Sequence, residues 1–317
     1  MYTKQSISQR QAQIKPFIRY TPVEQSPMLA ADGGMVWLKL ENQQITGSFK
    51  VRGAMSKLLA LSPAQRQNGV VTASTGNHGA AVAYAAKCLE TTAVVYVPTD
   101  ADPGKVERIR RYGGQVQFYG SDCVETEVHA RKISLQLKKP FVSPYNDPDV
   151  IIGQGSIAVE LLQQVPHLDA VFIAIGGGGM IGGVGSYIKA VNPNIEVVGC
   201  SPLQSPAMHE CMLAGAAIDV PCFPTLSDAT AGGVEHGSIT VDVCCRVVDR
   251  SLLVSEAEIA QSTFDVIDAH RMLIEGAAGV AVAGYRKVKE DYRGKNVGIV
   301  LCGANIGMEK LKKVLSV

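Results

Sequence analysis

The chain has 317 residues, 46% of them apolar and 19% charged, a globular balance rather than a disordered one. With 30 basic and 29 acidic side chains the net charge is +1, so there is no electrostatic footprint for nucleic acid or an anionic membrane, and any bound anion must be held locally. The longest uncharged apolar stretch, Val171 to Ile188, contains seven glycines and does not read as a membrane span. Met1 to Gln5 carry no apolar leader, and the 8 cysteines form no CxxC pair and no zinc-spaced cluster, so free thiols in the cytoplasm are expected.

Short β-branched runs alternate with helix-like segments along the chain. Val70–Thr72, Ala93–Val97, Val116–Tyr119, Ala170–Ile175, Ile195–Cys200 and Val297–Cys302 read as strands. Continuous apolar strands of this kind are buried on both faces, which predicts a parallel sheet between layers of helix. Ser62-Pro63-Ala64-Gln65 is a capping box with proline at the first helical position. Asp102-Pro103 opens a helix that Gly113-Gly114 closes. Ser255 to Glu258 is a second capping box, ahead of a helix with Ile259, Val266, Ile267 and Ile274 on one side. No repeat, low-complexity tract or linker stands out.

Three segments carry chemistry. Lys50 lies among small and apolar residues after Gly47-Ser48-Phe49. A lysine in such a setting has a lowered pKa and can attack a carbonyl, although most lysines are simply solvated. Ser74-Thr75-Gly76-Asn77-His78-Gly79 follows a strand and opens a helix, which suits a carboxylate. Gly176-Gly177-Gly178-Gly179-Met180 does the same after Ile175 and suits a phosphate. A plain turn would not need four glycines. A dinucleotide site would need an acidic residue about 20 positions on, where Val197 and Ser201 stand instead. An imine-forming lysine, a carboxylate loop and a phosphate loop together imply an amino-acid substrate and pyridoxal 5'-phosphate (PLP).

The chain resembles the serine/threonine dehydratase and serine racemase family of fold-type II PLP enzymes. The resemblance rests on Thr21–Val23, Leu38–Asn42 (LKLEN), Gly47–Ala54 (GSFKVRGA), Ser74–Gly79, Gly153–Glu160 (GQGSIAVE), Gly176–Met180 and Leu301–Ile306 (LCGANI), in the family's order. It implies an α/β fold of two domains like the tryptophan synthase β subunit, each an open, mostly parallel sheet flanked by helices. Residues 1–52 with 147–317 would form a large PLP-binding domain, and 53–146 a small mobile one.

It also implies roles. Lys50 would carry PLP and move the Cα proton, Phe49 would pack beside the ring, and Asn77 would bond its 3-oxygen. Gly176, Gly177, Gly178, Gly179 and Met180 would hold the phosphate. Ser74, Thr75, Asn77 and His78 would receive the substrate, Gly232 with Gly233 would line the ring edge, and Glu275 would lie near the ring. Thr75 occupies the place of the racemases' second-face acid/base serine. Cys302 stands where the family's pyridine-nitrogen partner is usually a serine; a buried thiol is neutral, which would favour β-elimination over transamination.

The activity implied is dehydration and deamination of a β-hydroxy-α-amino acid such as L-threonine or L-serine to a 2-oxo acid and ammonia. Alternatives are a racemase, a dehydratase of hydroxyectoine, phenylserine or 3-hydroxyaspartate, and a catalytically silent PLP carrier. The family's divalent-cation site falls on Ser201 to Ala207, which hold no carboxylate, so no metal is expected. The chain ends shortly after LCGANI, so feedback through a regulatory domain is not expected. A homodimer is expected. The five histidines other than His78 read as surface or packing residues, and Arg108, Arg110 and Arg111 as a solvated helix face.

Overall fold

The computed structural model describes residues 2–30 and 33–316. In chain order the elements are α1 (Lys4–Ile14), β1 (Val23–Gln25), β2 (Met35–Lys39), α2 (Lys50–Ala60), α3 (Pro63–Asn68), β3 (Val70–Ala73), α4 (Asn77–Cys88), β4 (Ala93–Val97) and α5 (Pro103–Arg111). There follow β5 (Gln115–Phe118), α6 (Cys123–Gln136), α7 (Pro148–Gln164), β6 (Ala170–Ala174), α8 (Gly179–Val191), β7 (Glu196–Pro202), α9 (Ala207–Ala214) and α10 (Ile239–Val247). The chain closes with β8 (Arg250–Val254), α11 (Glu256–His270), α12 (Gly276–Lys287), β9 (Asn296–Val300) and α13 (Met308–Leu315). The helix starts read from sequence form as expected: Ser62 and Ser255 close reciprocal capping boxes, and Asp102 caps α5 by accepting from the Lys105 amide.

The strands make two sheets. One runs β1-β2-β9-β6-β7-β8, parallel throughout except for the antiparallel edge pair β1–β2. The other is the parallel trio β3-β4-β5. β6 is buried along its whole length, as its unbroken apolar sequence requires. Behind it, Phe172 meets Tyr285 and Tyr292 edge-on at 5.3 and 5.1 Å.

Two devices bring the lysine and glycine segments together. Helix α7 lies between α2 and α8, and its glycines permit the contact. A Cβ on Gly153 would stand 2.4 Å from the Ser56 Cβ of α2, and one on Gly155 would stand 2.9 Å from the Gly183 carbonyl of α8. The second device is an ion network buried beside α2. Arg52 donates to Glu41 at 2.7 and 2.8 Å and to Glu160 at 2.7 Å, while Lys39 donates to Glu160 at 2.8 Å. It ties α2 to β2, to the turn after β2 and to α7. Burial alone would raise the Glu41 carboxyl; the Arg52 charge and hydrogen bonds outweigh it and hold it below the ordinary value.

The expected division at residues 52 and 53 falls inside the unbroken helix α2. Ile14 and Ile18, from the N-terminal segment, also share a core with Val70, Ala81 and Val82. The apolar core beside β3 therefore draws on residues outside 53–146.

Candidate active site

Lys50 is the first residue of α2, and backbone bonds fix it against the end of β9. The Phe49 amide donates to the Cys302 carbonyl at 3.0 Å, and the Ala304 amide donates to Gly47 at 2.9 Å. The lysine thus stands beside Cys302 in a cleft of about 490 Å³, shared with Phe49, Asn77, Gly176–Gly179, Met180 and Glu275. Its ammonium donates to the Pro144 carbonyl at 2.9 Å and lies 5.2 Å from the Phe49 ring centre. Burial disfavours the charge and lowers its pKa to about 8, against the pull of Cys302 and Glu275.

The glycine run turns from β6 into α8. Gly178 has φ +82°, and a Cβ on Gly177 would fall 2.4 Å from the ring of Tyr145. So the run is required by close packing as well as by any ligand. Among the described residues the amides of Gly176 to Ile181 find no acceptor; the first in α8 to do so is Gly182, which bonds Gly178 at 2.8 Å. A fan of unused donors at a helix N-terminus, lining the lysine cleft, fits a phosphate.

The second loop turns from β3 into α4 and lines an adjoining space of about 1320 Å³ that also reaches Lys50. Ser74 Oγ accepts from the Gly76 amide at 3.2 Å. The amides of Thr75 and of Asn77 to Gly79 have no acceptor among the described residues, and Ala80 is the first in α4 to bond back, to Gly76. This is a second fan of unused donors, separate from the first, and it fits an anion.

Glu275, 3% exposed, has its carboxyl raised by burial, against two hydrogen bonds from Asn77 Nδ2 at 3.0 and 2.9 Å and one from the Asn305 amide at 3.1 Å. The Cys302 thiol is also pushed well up by burial and by Glu275, whose Oε1 is 3.9 Å from Sγ. The thiol is therefore neutral and donates toward a carboxyl, a neighbour the motif did not disclose.

The structure brings Phe49, Lys50, Ser74, Thr75, Asn77, His78, Gly176–Met180, Glu275 and Cys302 to these two adjoining spaces. Two residues sit differently from the expectation. His78 lies on the substrate loop, but its Nε2 donates to the Val142 carbonyl at 2.9 Å, and burial with the Lys50 charge lowers its pKa to about 3. The ring is a neutral tie between α4 and Val142 and offers no charge to a carboxylate. Gly232 lines neither space; at φ +109° its amide donates to Ser205 Oγ, and Ala229, Thr230 and Ala231 line the spaces instead.

Arg108 is a correction of the opposite kind. It is half-buried in the cleft wall, and its Nη2 donates to Asn77 Oδ1 at 3.1 Å. Asn305, which donates to the same oxygen at 2.6 Å, and Tyr145 also escaped notice. Only Arg108 left a trace in sequence. It lies three residues after Lys105 on α5, so the two share one face, which the helix turns to the cleft.

Residues 14–303 match the family described as pyridoxal-phosphate dependent enzyme, and the chain belongs to that family. It is 36% identical over 317 residues to the L-threonine ammonia-lyase of Thermotoga maritima, covering 100% of this chain and 79% of that one. It is 34% identical over 304 residues to the L-threo-3-hydroxyaspartate ammonia-lyase of a Pseudomonas species, covering 95% of each. Among solved structures, the processed form of threonine deaminase isoform 2 from Solanum lycopersicum superposes with a TM-score of 0.92 at 31% identity, covering 98% of this chain and 93% of that one.

Proposed function

We propose that the protein is an ammonia-lyase that eliminates the β-hydroxyl of a β-hydroxy-α-amino acid, releasing a 2-oxo acid and ammonia. The observation that carries this is the placing of one desolvated lysine between two fans of unused amide donors. The similarity to the Thermotoga and tomato proteins supports the same reading. PLP, when bound, draws electrons from the substrate Cα.

The chain's own residues supply the rest. The amides of Gly176 to Ile181 would hold the phosphate, and those of Thr75 and Asn77 to Gly79 the substrate carboxylate. Lys50 would carry the cofactor and, once the substrate amine has freed it, accept the Cα proton; burial lowers the pKa of that amine to about 8, so more of it is uncharged near neutral pH than of a solvated lysine. Phe49 and Met180 shield that amine from bulk water, and Asn77 and Glu275 orient the ring edge. Cys302 would meet the ring nitrogen as a neutral group, and the Thr75 hydroxyl lines the adjoining space.

The β3-β4-β5 sheet with α4, α5 and α6 is the part that closes. The salt bridges Lys105–Asp228 at 3.3 Å and Arg131–Glu235 at 2.8 Å already link this segment to the rest of the chain across the cleft, and they support closure. A cytoplasmic homodimer that also accepts L-serine completes the proposal; the eight free thiols suit a reducing compartment.

The test is turnover of L-threonine, L-serine and 3-hydroxyaspartate by the purified holoenzyme. Equimolar ammonia and 2-oxo acid are expected, falling by several orders of magnitude in Lys50→Ala. D-amino acid in excess of 2-oxo acid would make the protein a racemase instead.

A further inference from the structure

Three cations line the space beyond the lysine: Lys50, Lys105 and Arg108. Lys50 belongs to the chemistry, and Lys105 pairs with Asp228 at 3.3 Å. The acidic groups in the wall are likewise taken. Asp228 also faces Lys310 at 3.6 Å, Glu127 accepts from Arg131 at 2.7 Å, and Glu275 is held by Asn77 and Asn305. Arg108 is different. Its one hydrogen-bond partner among the described residues is the neutral Asn77 amide oxygen, and no carboxylate lies within ion-pair distance. Its Nε is buried with no partner among the described residues. A guanidinium presents five donors in a planar fork, and here most of that fork is unused on the wall of a substrate cleft.

We propose that Arg108 determines specificity by receiving a second carboxylate, on the β-carbon substituent, so that the preferred substrate is a β-hydroxy-α-amino dicarboxylic acid such as 3-hydroxyaspartate. The inference rests on the ammonia-lyase reading and sharpens it. The α-carboxylate already has a site in the amides of Thr75 and Asn77 to Gly79, so the guanidinium marks a second anionic position on the same molecule. A planar carboxylate matches the fork in two parallel hydrogen bonds. A dianionic phosphate suits the place less well, because Asp228 and Glu127 share the wall. The neutral methyl of threonine would leave the buried Nε as it stands, unbonded, and would gain nothing from the charge.

The test compares ammonia release from L-threo-3-hydroxyaspartate and L-threonine by the holoenzyme, in wild type, Arg108→Met and Arg108→Lys. In wild type kcat/KM is expected to favour hydroxyaspartate by about tenfold or more. The ratio of the two kcat/KM values should fall by on the order of a hundredfold in Arg108→Met, mostly through KM, and recover partly in Arg108→Lys. Equal losses on both substrates would show that Arg108 only holds Asn77 in place and would overturn the proposal. A wild-type preference for threonine would overturn it too, while leaving the ammonia-lyase reading intact; no ammonia from any substrate would overturn both. A second measurement needs no variant. L-aspartate should inhibit wild-type threonine turnover at least about tenfold more tightly than L-2-aminobutyrate, and equal inhibition would contradict the assignment.

Discussion

At the scale of single residues, the sharpest consequences come from titratable groups that burial holds away from their ordinary pKa. The Cys302 thiol and the Glu275 carboxyl are 3.9 Å apart, and burial raises both. Cys302→Ser exchanges one neutral donor for another and should keep turnover within about tenfold, roughly 1.4 kcal/mol in the barrier. Cys302→Asp sets a second carboxyl against Glu275, where like charges keep one of them protonated. It should slow elimination and raise the ratio of D-amino acid to 2-oxo acid; an unchanged ratio would remove Cys302 from the mechanism. His78 gives a pH dependence. Its folded pKa of about 3 lies below the ordinary 6.5, so its contribution to stability is complete above pH 6.5 and is lost as pH falls toward 3. At pH 5 the loss should be about 2 kcal/mol relative to neutral pH. His78→Gln keeps a donor for Val142 without titrating, so denaturant midpoints at pH 7 and pH 5 should lie closer together in the variant. Midpoints as far apart as in wild type would assign the acid sensitivity elsewhere.

At the scale of elements, helix α2 carries both the reactive lysine and the residue that anchors it. Arg52 is completely buried between Glu41 and Glu160. Arg52→Met would strand two buried carboxylates, and the expected loss of stability is about 3–5 kcal/mol, read as a fall in the denaturation midpoint. Arg52→Lys should recover little of it, because an ammonium cannot serve both carboxylates with parallel hydrogen bonds. A fall below about 1 kcal/mol would mean that the network contributes little to holding α2. The helices and strands that position the site were legible where local chemistry decides them. Capping boxes, the glycine turns after β3 and β6, and the apolar run of β6 all formed as read. The edge strands β1 and β8 and the strand β2 beside β1 were not foreseen, since pairing with other strands is what makes them strands.

At the scale of the whole molecule, the two sheets matter because each delivers one helix N-terminus to the same lysine. That convergence could be read from motif order only through resemblance to known enzymes. Arg108 shows where such reading stops. Its spacing from Lys105 sets it on that residue's face of α5, but only the docking of α5 beside the cleft turns this face inward, while Arg110 and Arg111 are exposed. The site's outline was therefore visible in sequence, while the features that select a substrate depend on packing between segments far apart in the chain.

The account stands or falls on Lys50 as the residue that carries the cofactor. The direct measurement is borohydride reduction of the yellow holoenzyme, followed by proteolysis and mass spectrometry of the pyridoxyl-labelled peptide. The account predicts one label, on the peptide containing Gly47-Ser48-Phe49-Lys50, and no label or colour fixed in Lys50→Ala. A label on any other lysine in the wild-type protein would contradict it.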